Sequence, residues 1–397
     1  MRRAVCLFIG GAVLLTFPGA AWASDDGVVL ALVHGFLIDG TGAAPIEDAA
    51  VVIRDGRIVA AGPSSEVEIP EDAEAIDVEG AAILPGFINA HLHRGYDEPN
   101  LRAWAQGGVT TVRDLGTQFR WRSDSGSVFE DRDELNRDVL NARLVAAGPI
   151  VTTVGGYGGY PVTSPEDARE KVNGLIDAGA DLIKIAIEDD LQGRQWPLLS
   201  PEEMAAIVET AHARGVRVAA HVSRSRHVQM AIDAGVDDLN HMAVDSVSTD
   251  RLNRIVELGM AWVPTLELWN GVSRQYGLNW DRIAARNLLR FVEAGGIVAL
   301  GTDFGGHTTR FDLGMPITEI RLMHDAGMTP MQIIEAATRN AAAVCGLGDE
   351  LGTIEVGKIA DVIVVGGNPL EDIDRFENIL IVVHNGAVIR DERLRTG

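Results

Sequence analysis

A repeated joint between helices and strands constrains the fold of this chain more strongly than any other feature. Six times, an amphipathic helical stretch ends at a glycine, and a short β-branched run follows within one to three residues. Glycine ends a helix readily because it adopts the left-handed conformation at little cost. A short apolar run of this kind is typical of a strand that is buried on both faces. The joints lie at Gly108, Gly179, Gly215, Gly235, Gly259 and Gly296.

Two further apolar runs, at residues 82–88 and 144–147, raise the number of predicted strands to eight. Strands that alternate with helices indicate a parallel sheet. Eight such units before Cys345 match the roughly 250 residues of a closed (β/α)₈ barrel. An open doubly wound sheet is the alternative, but no glycine-rich phosphate-binding turn follows the first strand. We therefore predict an α/β fold, a TIM barrel over residues 83–345.

The two ends of the chain differ from this middle. Residues 51–59 form a predicted hairpin around Asp55-Gly56, and residues 381–389 form another around Asn385-Gly386. A two-stranded hairpin cannot bury both faces by itself. We expect residues 24–82 and 346–397 to combine into one accessory β-sandwich domain beside the barrel.

The first 23 residues are typical of a secretory signal peptide. Met1-Arg2-Arg3 precedes an apolar run at residues 4–17, and Ala21-Trp22-Ala23 supplies a small-residue cleavage site. A retained membrane anchor is the alternative, but the run is shorter than the roughly 20 residues that span a bilayer. We predict cleavage near Ala23 and a periplasmic or secreted protein. Cleavage removes Cys6 and leaves Cys345 alone, so we expect no internal disulfide.

The charge of the chain restricts its partners. Its 57 acidic and 34 basic residues give a formal net charge of −23. This charge repels nucleic acid and anionic lipid, so we expect neither nucleic acid nor a membrane as partner after signal cleavage. We expect a small-molecule substrate, and the sequence leaves a homo-oligomer open.

Ionisable side chains lie in or directly after five of the eight predicted strands. His91 and His93 follow the first strand, where residues two apart share one face. Barrel enzymes carry their working residues at the C-terminal ends of the strands. The sequence therefore predicts one metal site at this rim. Its remaining members are Lys184 in the fourth strand, His221 after the fifth, His241 after the sixth and Asp303 after the eighth.

Four segments carry a resemblance to the amidohydrolase superfamily. Residues 84–93 (LPGFINAHLH) are similar to its entry into the barrel, and residues 352–361 (GTIEVGKIAD) resemble its return to the β-sandwich. Residues 107–114 (GGVTTVRD) and 178–184 (AGADLIK) resemble the branch of imidazolonepropionase-like and Xaa-Pro dipeptidase-like enzymes. The resemblance extends over nearly the whole chain after residue 23.

The resemblance implies two divalent metal ions, which we expect to be zinc. Lys184 would be carboxylated by carbon dioxide and bridge both metals, because burial favours the neutral amine that reacts with carbon dioxide. Two such metals share a hydroxide that attacks the substrate, and Asp303 would carry a proton from it to the leaving nitrogen. The implied ligands are His91, His93 and Asp303 for one metal, His221 and His241 for the other, and Lys184 for both.

The expected reaction is hydrolysis of an amide-type C–N bond in a dipeptide, an N-acyl amino acid or a cyclic amide. Hydrolysis of a lactone, ester or organophosphate, deamination at a single metal, and a non-catalytic binding protein remain alternatives. Lys184 paired with a carboxylate beside a single metal is the alternative to the bridge. Tyr157 stands where the dipeptidase-like branch has a histidine, and His307 follows Asp303. We expect both to contact substrate, and a solvent-facing position on the loop is the alternative for His307.

Overall fold

The computed structural model of the chain describes residues 29–116 and 128–395. The predicted signal peptide lies outside this part of the chain. The strands are β1 Val29–Leu37, β2 Ile46–Arg54, β3 Arg57–Pro63, β4 Glu74–Asp77, β5 Ala82–Pro85, β6 Phe87–Leu92, β7 Val109–Asp114, β8 Arg143–Ala146, β9 Val151–Thr153, β10 Tyr160–Val162, β11 Leu182–Ile187, β12 Arg217–Val222, β13 Asp238–Asn240, β14 Ala261–Val263, β15 Ile297–Val298, β16 Val362–Val365, β17 Ile379–His384 and β18 Ala387–Asp391.

Eleven α-helices lie within the same described ranges. They are α1 Glu98–Gln106, α2 Val128–Leu135, α3 Pro165–Asp177, α4 Pro201–Ala213, α5 Ser225–Ala234, α6 Thr249–Glu257, α7 Leu266–Tyr276, α8 Trp280–Glu293, α9 Ile317–Asp325, α10 Pro330–Ala337 and α11 Arg339–Val344. Ser164 and Ser200 cap α3 and α4 through hydrogen bonds to the backbone N–H three residues on, and each helix has a proline in its first turn. None of the described helices is long and apolar enough to cross a bilayer.

Eight parallel strands form the barrel. Three of them, β6, β7 and β8, form one sheet, and the other five, β11 to β15, pair in order in a second sheet, which β9 and β10 extend at its edge. The amide of Asp181 donates to the carbonyl of Ala146 at 3.1 Å, which connects β8 to the start of β11. The amide of Ala90 on β6 donates to the carbonyl of Leu300 at 2.8 Å, which connects the segment after β15 to β6. The predicted parallel α/β architecture is confirmed.

Small side chains fill the interior of the barrel below the rim. Ala90, Ala219, Ala261 and Ala299 point into one apolar cluster. Helix α11 closes the lower end of the barrel, since its residues Ala341, Ala342 and Val344, with the following Cys345, join the same cluster. Cys345 is a buried free thiol there. Small interior residues leave the space above them to the ionisable side chains of the rim.

The first predicted strand is corrected by the structure. Residues 82–88 divide at Gly86, so that β5 belongs to the accessory sheet and only β6 to the barrel. A Cβ on Gly86 would lie 2.3 Å from Oγ1 of Thr110, so glycine is needed where the chain passes between the two sheets. The sixth strand begins at Asp238 rather than at Val236.

Both ends of the chain contribute to a second sheet of eight strands. Its order is β18-β17-β16-β5-β1-β2-β3, and β4 pairs with β1. The two predicted hairpins are present. Their turns lie in contact: a Cβ added to Gly386 would be only 2.5 Å from Cα of Gly56. The apolar face of this sheet buries Leu32, Ile83 and Ile381.

Candidate active site

His91 and His93 meet Asp303 across the junction between the first and last barrel strands. Nε2 of each imidazole lies 3.1 Å from Oδ1 of Asp303, and these atoms form a group that could hold a metal ion. Nδ1 of His93 donates to the carbonyl of Gly116 at 3.0 Å, which leaves the lone pair of Nε2 facing the carboxylate. Two acceptors at this distance repel each other unless a proton or a cation lies between them.

The backbone around Asp303 is adapted to bring its carboxylate inward. Asp303 has φ +65°, in the left-handed region, and its amide donates to the carbonyl of His91 at 2.9 Å. A Cβ on Gly306 would lie 2.3 Å from Oδ1 of Asp303, so the loop after β15 can close over the carboxylate only with glycine at that position.

His221 and His241 complete a row of imidazoles along the rim. The ring centroid of His241 lies 4.6 Å from those of both His91 and His221. Nδ1 of His241 lies 2.9 Å from Oγ1 of the buried Thr265, which fixes the orientation of the ring. The four histidines that the sequence predicts are therefore brought together.

Lys184 lies on β11, buried in the barrel wall with 1% of its surface exposed. Its Nζ has no hydrogen-bond partner among the described residues. Burial and the nearby Arg113 lower the pKa of Lys184 to about 7, although Asp238 and Asp303 act in the opposite direction. With a pKa of about 7, a substantial fraction of this buried amine is neutral near pH 7, which satisfies the main chemical requirement for carboxylation.

Three of the four histidines have lowered pKa values, as suits metal ligands, whereas the pKa of His93 is raised, because Asp303 outweighs the effect of burial. Burial lowers the pKa of His91 to about 3 and holds that of His241 well below its usual range. Neutral imidazole is the form that binds a metal. Burial alone would raise the pKa of Asp303, but the adjacent His91 and His93 hold it well below its usual range. The donor set therefore fits one or two divalent cations.

Glu188 is a member of this site that sequence reasoning missed. One carboxylate oxygen lies 3.2 Å from Nε2 of His221, and the other accepts the backbone N–H groups of Asp190 and Leu191. Burial would raise its pKa, but His221 lowers it to about 2. The signal lay in the period of the strand, because Glu188 is four positions after Lys184 and therefore on the same face.

His227 lies beside Glu188, with its Nδ1 4.0 Å from a carboxylate oxygen of Glu188. His227, Glu188 and Asp189 form a second group with ligand-type atoms in mutual reach. Nε2 of His227 is 2.9 Å from Asp189, whose carboxylate also binds Arg226 at 2.5 Å. Because Asp189 is already neutralised by arginine, this cluster is best described as an ion-pair network that supports Glu188.

A cavity of about 1230 Å³ opens above the histidines. Tyr157 and His307 line it, as do all six predicted metal ligands. The ring of Tyr157 lies 4.8 Å from that of His221, and burial raises the pKa of the phenol, which therefore stays protonated. His307 lies farther out, with its ring 6.3 Å from that of Tyr276.

A family model described as "Amidohydrolase family" matches residues 82–389. The chain belongs to the amidohydrolase family. This amidohydrolase is 27% identical to ochratoxinase of Aspergillus niger, with 91% of this chain and 86% of that protein covered. It is 28% identical to imidazolonepropionase of Symbiobacterium thermophilum, with 81% and 85% covered.

Solved structures agree with this assignment. A Xaa-Pro dipeptidase with bound methionine in its active site has a TM-score of 0.81 at 25% identity and covers 91% of this chain and 100% of its own. The structure of A. niger ochratoxinase has a TM-score of 0.80 at 23% identity, over 92% and 96% of the two chains, and supports the shared fold. This amidohydrolase is an enzyme of a metal-dependent family whose members act on carbon–nitrogen bonds.

Proposed function

We propose that this amidohydrolase hydrolyses the amide C–N bond of a dipeptide, an N-acyl amino acid or a cyclic amide. The observation that supports the proposal is the convergence of side chains from five strand ends on one buried rim. Nε2 of His91 and Nε2 of His93 approach the same oxygen of Asp303 at 3.1 Å, and His241 bridges His91 to His221 with ring distances of 4.6 Å.

We assign two divalent metals, zinc ions in our proposal, to this rim. When bound, such ions polarise the scissile carbonyl and bring the pKa of a shared water toward 7. The buried Nζ without a hydrogen-bond partner supports carboxylation of Lys184 by carbon dioxide, which would turn it into an anionic ligand. The proposed ligands are His91, His93 and Asp303, then His221 and His241, with carboxylated Lys184 between the two sets.

Residues of the chain itself would transfer the proton and bind the substrate. Asp303 is ionised, because His91 and His93 hold its pKa low, and it can accept a proton from the attacking water and pass it to the leaving nitrogen. Tyr157 keeps its phenolic proton and lies next to His221, so it can donate a hydrogen bond to the carbonyl oxygen. His307, at the outer part of the cavity, is placed to contact the more distant part of a substrate.

The test of the reaction is a substrate screen with zinc-reconstituted protein. Dipeptides, N-acyl amino acids and cyclic amides are offered beside lactones and phosphotriesters. We expect amide hydrolysis that is lost on chelation and in His91→Asn, and kept in the control His324→Asn, which changes an exposed histidine on α9. Turnover of lactones or phosphotriesters without any amide hydrolysis would overturn the proposal.

Metal content and carbon dioxide test the bridge. We expect about two metals per chain in the wild type and a lower count in Lys184→Met. Apoprotein that is reconstituted in buffer purged of carbon dioxide should recover activity slowly, and bicarbonate should accelerate the recovery. A count of one metal, with recovery that does not depend on bicarbonate, would argue for a mononuclear site with an unmodified Lys184.

We further propose that residues 1–23 direct export and are removed near Ala23, so that the enzyme works in the periplasm or outside the cell. The composition of this segment supports the proposal. Mass spectrometry of the exported protein should give Ser24 as its first residue, and an intact Met1 would contradict export with cleavage.

We also propose that residues 24–82 and 346–397 act as an accessory β-sandwich.

A further inference from the structure

Thr265 occupies the N-cap position of helix α7 but does not cap the helix. A threonine at this position usually accepts a hydrogen bond from an N–H of the first helical turn. In this chain the hydroxyl of Thr265 makes no such bond and lies instead 2.9 Å from Nδ1 of His241. Thr265 has none of its surface exposed. Because its hydroxyl is directed at a proposed metal ligand, the first N–H groups of α7 need another acceptor.

Glu319 on α9 is that acceptor. One of its carboxyl oxygens accepts the N–H of Leu266 at 2.9 Å, and the other accepts the N–H of Glu267 at 2.6 Å. These two residues are the first of α7 and directly follow Thr265. Glu319 is fully buried. A side chain from a different helix thus provides the cap that Thr265 does not provide.

The backbone is left-handed at both residues of the contact between Thr265 and His241. The angle φ is +49° at Thr265 and +71° at His241, although neither residue is a glycine. Such a conformation at a β-branched threonine costs free energy and persists where the surrounding structure fixes it. The backbone of His241 is held by its own neighbours, since its carbonyl accepts Nε1–H of Trp262 at 2.7 Å. The two bonds to Glu319 hold the chain directly after Thr265.

A second connection joins α7 to α9 through the loop after β15. Oε1 of Glu267 accepts the N–H of Asp312 at 2.7 Å, and Oδ2 of Asp312 accepts the N–H of Thr318 at 2.7 Å. Thr318 directly precedes Glu319 on α9. The contacts therefore form a closed ring of α7, the loop and α9, and the start of α7 is anchored to α9 at two points.

We propose that Glu319 is a positioning residue of the metal site, which acts through Thr265 on His241. By accepting the first two N–H groups of α7, it fixes the chain after Thr265 and leaves the hydroxyl of that residue to His241. A histidine that binds a metal through one ring nitrogen usually donates its other N–H to a neighbouring acceptor, and Oγ1 of Thr265 is placed to be that acceptor. The inference rests on the proposed metal site and adds to it a residue that does not line the cavity.

Glu319→Gln tests this role. The variant keeps the size of the side chain but places an NH₂ group against one of the two backbone N–H groups. We expect the affinity of the folded protein for zinc to fall about 10- to 100-fold, measured by competition with a chelator. Glu319→Asp keeps both oxygens on a shorter side chain, so its loss of affinity should be smaller. Wild-type zinc affinity in Glu319→Gln would overturn the inference and leave Glu319 as a helix cap alone.

Glu203→Gln is the matched control. Glu203 is also a buried glutamate at the start of a helix, where its Oε2 accepts the N–H of Ser200 at 2.8 Å. It lies on α4 and does not line the cavity. We expect this variant to unfold at lower denaturant concentration than wild type and to keep the wild-type affinity for zinc. An equal loss of zinc affinity in both glutamine variants would overturn the inference, because general destabilisation would then explain the effect.

A double-mutant cycle with Thr265→Gly tests the route of the effect. Without the hydroxyl, Glu319→Gln should lower zinc affinity further by less than about 2-fold, because the contact through which Glu319 acts is already lost. Cobalt-substituted protein gives a spectroscopic measure of the same effect. The visible absorption bands should change in the same way in Glu319→Gln and in Thr265→Gly. Losses of zinc affinity that multiply in the double variant would overturn the inference.

Zinc affinity separates this inference from the proposed reaction, because it is measured without substrate. A zinc site that depends on Glu319, in a protein that hydrolyses no amide, would support the inference and contradict the proposed reaction. Amide hydrolysis by a protein whose zinc affinity does not depend on Glu319 would do the reverse.

Discussion

A carboxylate oxygen of Glu188 lies 3.2 Å from Nε2 of His221, while the second oxygen accepts the N–H groups of Asp190 and Leu191. The side chain therefore links an imidazole of the proposed metal centre to the loop that follows β11. It is almost fully buried, with 1% of its surface exposed, so its negative charge acts at short range on the site. Glu188 either orients His221 or shares in binding the metal that we propose for His221.

Glu188→Gln removes this charge and keeps the shape of the side chain. We expect metal affinity or activity to fall about 10- to 100-fold, which is usual when a partner of a metal ligand is lost. Elemental analysis after dialysis against graded chelator measures the affinity. Glu209→Gln, at an exposed position on α4, is the control and should behave as wild type. Wild-type metal retention in Glu188→Gln would show that the contact with His221 has no influence on the site.

The convergence of the proposed ligands on one rim could be predicted because the ends of strands can be recognised in the sequence. His91 and His221 each follow a short apolar run, and parallel strands bring such positions to one rim. The sequence predicts only Lys184 in the fourth strand, and Glu188 was missed because β11 continues to Ile187, directly before it. The single residue Gly86, through its contact with Thr110, divides what looked like one strand between two sheets.

Contacts between loops, unlike the ends of strands, could not be predicted from the sequence. Trp262 and Trp269 lie seven positions apart, and the sequence alone does not distinguish their surroundings. Trp262 is wholly buried behind the barrel wall, whereas Trp269 lines the cavity. The position of Trp269 depends on helix α7, which follows the left-handed Thr265, and a φ of +49° at a threonine cannot be predicted from residue type.

Thr265 tests how far the ring of His241 depends on a hydroxyl. Thr265→Ser keeps the oxygen that lies 2.9 Å from Nδ1 of His241, so metal affinity should stay close to wild type. Thr265→Gly relieves the left-handed backbone but removes the hydroxyl. We expect its zinc affinity to fall about 10- to 100-fold, measured by competition with a chelator. If glycine and serine variants bind zinc equally, the hydroxyl does not position the ring.

Glu267 makes the stability of the protein depend on pH. Burial raises its pKa from 4.5 to about 9, and one of its oxygens has no hydrogen-bond partner among the described residues. The folded state therefore binds the proton more tightly than the unfolded state. The stability linked to this proton is complete below pH 4.5 and is lost as the pH rises toward 9.

Glu267→Gln replaces the titrating group by a neutral one of the same shape. Near pH 4.5 we expect the variant and the wild type to have nearly the same Tm. As the pH rises, the variant should become the more stable protein, by about 1–3 kcal/mol of unfolding free energy at pH 9. Thermal unfolding of both proteins at a series of pH values measures this difference. A Tm difference that stays constant across this range would mean that Glu267 is already ionised in the folded protein.

Arg113 and Asp238 form an ion pair inside the barrel, with neither side chain exposed. Two guanidinium nitrogens contact the two carboxylate oxygens at 2.8 and 3.1 Å, and Nε donates to the carbonyl of Ala90 at 2.6 Å. Arg113→Met leaves a buried carboxylate without its cation, so we expect a loss of about 3–5 kcal/mol in unfolding free energy. Asp238→Leu alone should cost a similar amount. The double variant should recover much of the loss, because replacing both charges by apolar groups removes the desolvation penalty. Denaturant unfolding of the wild type, the two single variants and the double variant gives a double-mutant cycle. If the double variant loses as much unfolding free energy as the two single variants together, the two charges do not stabilise each other.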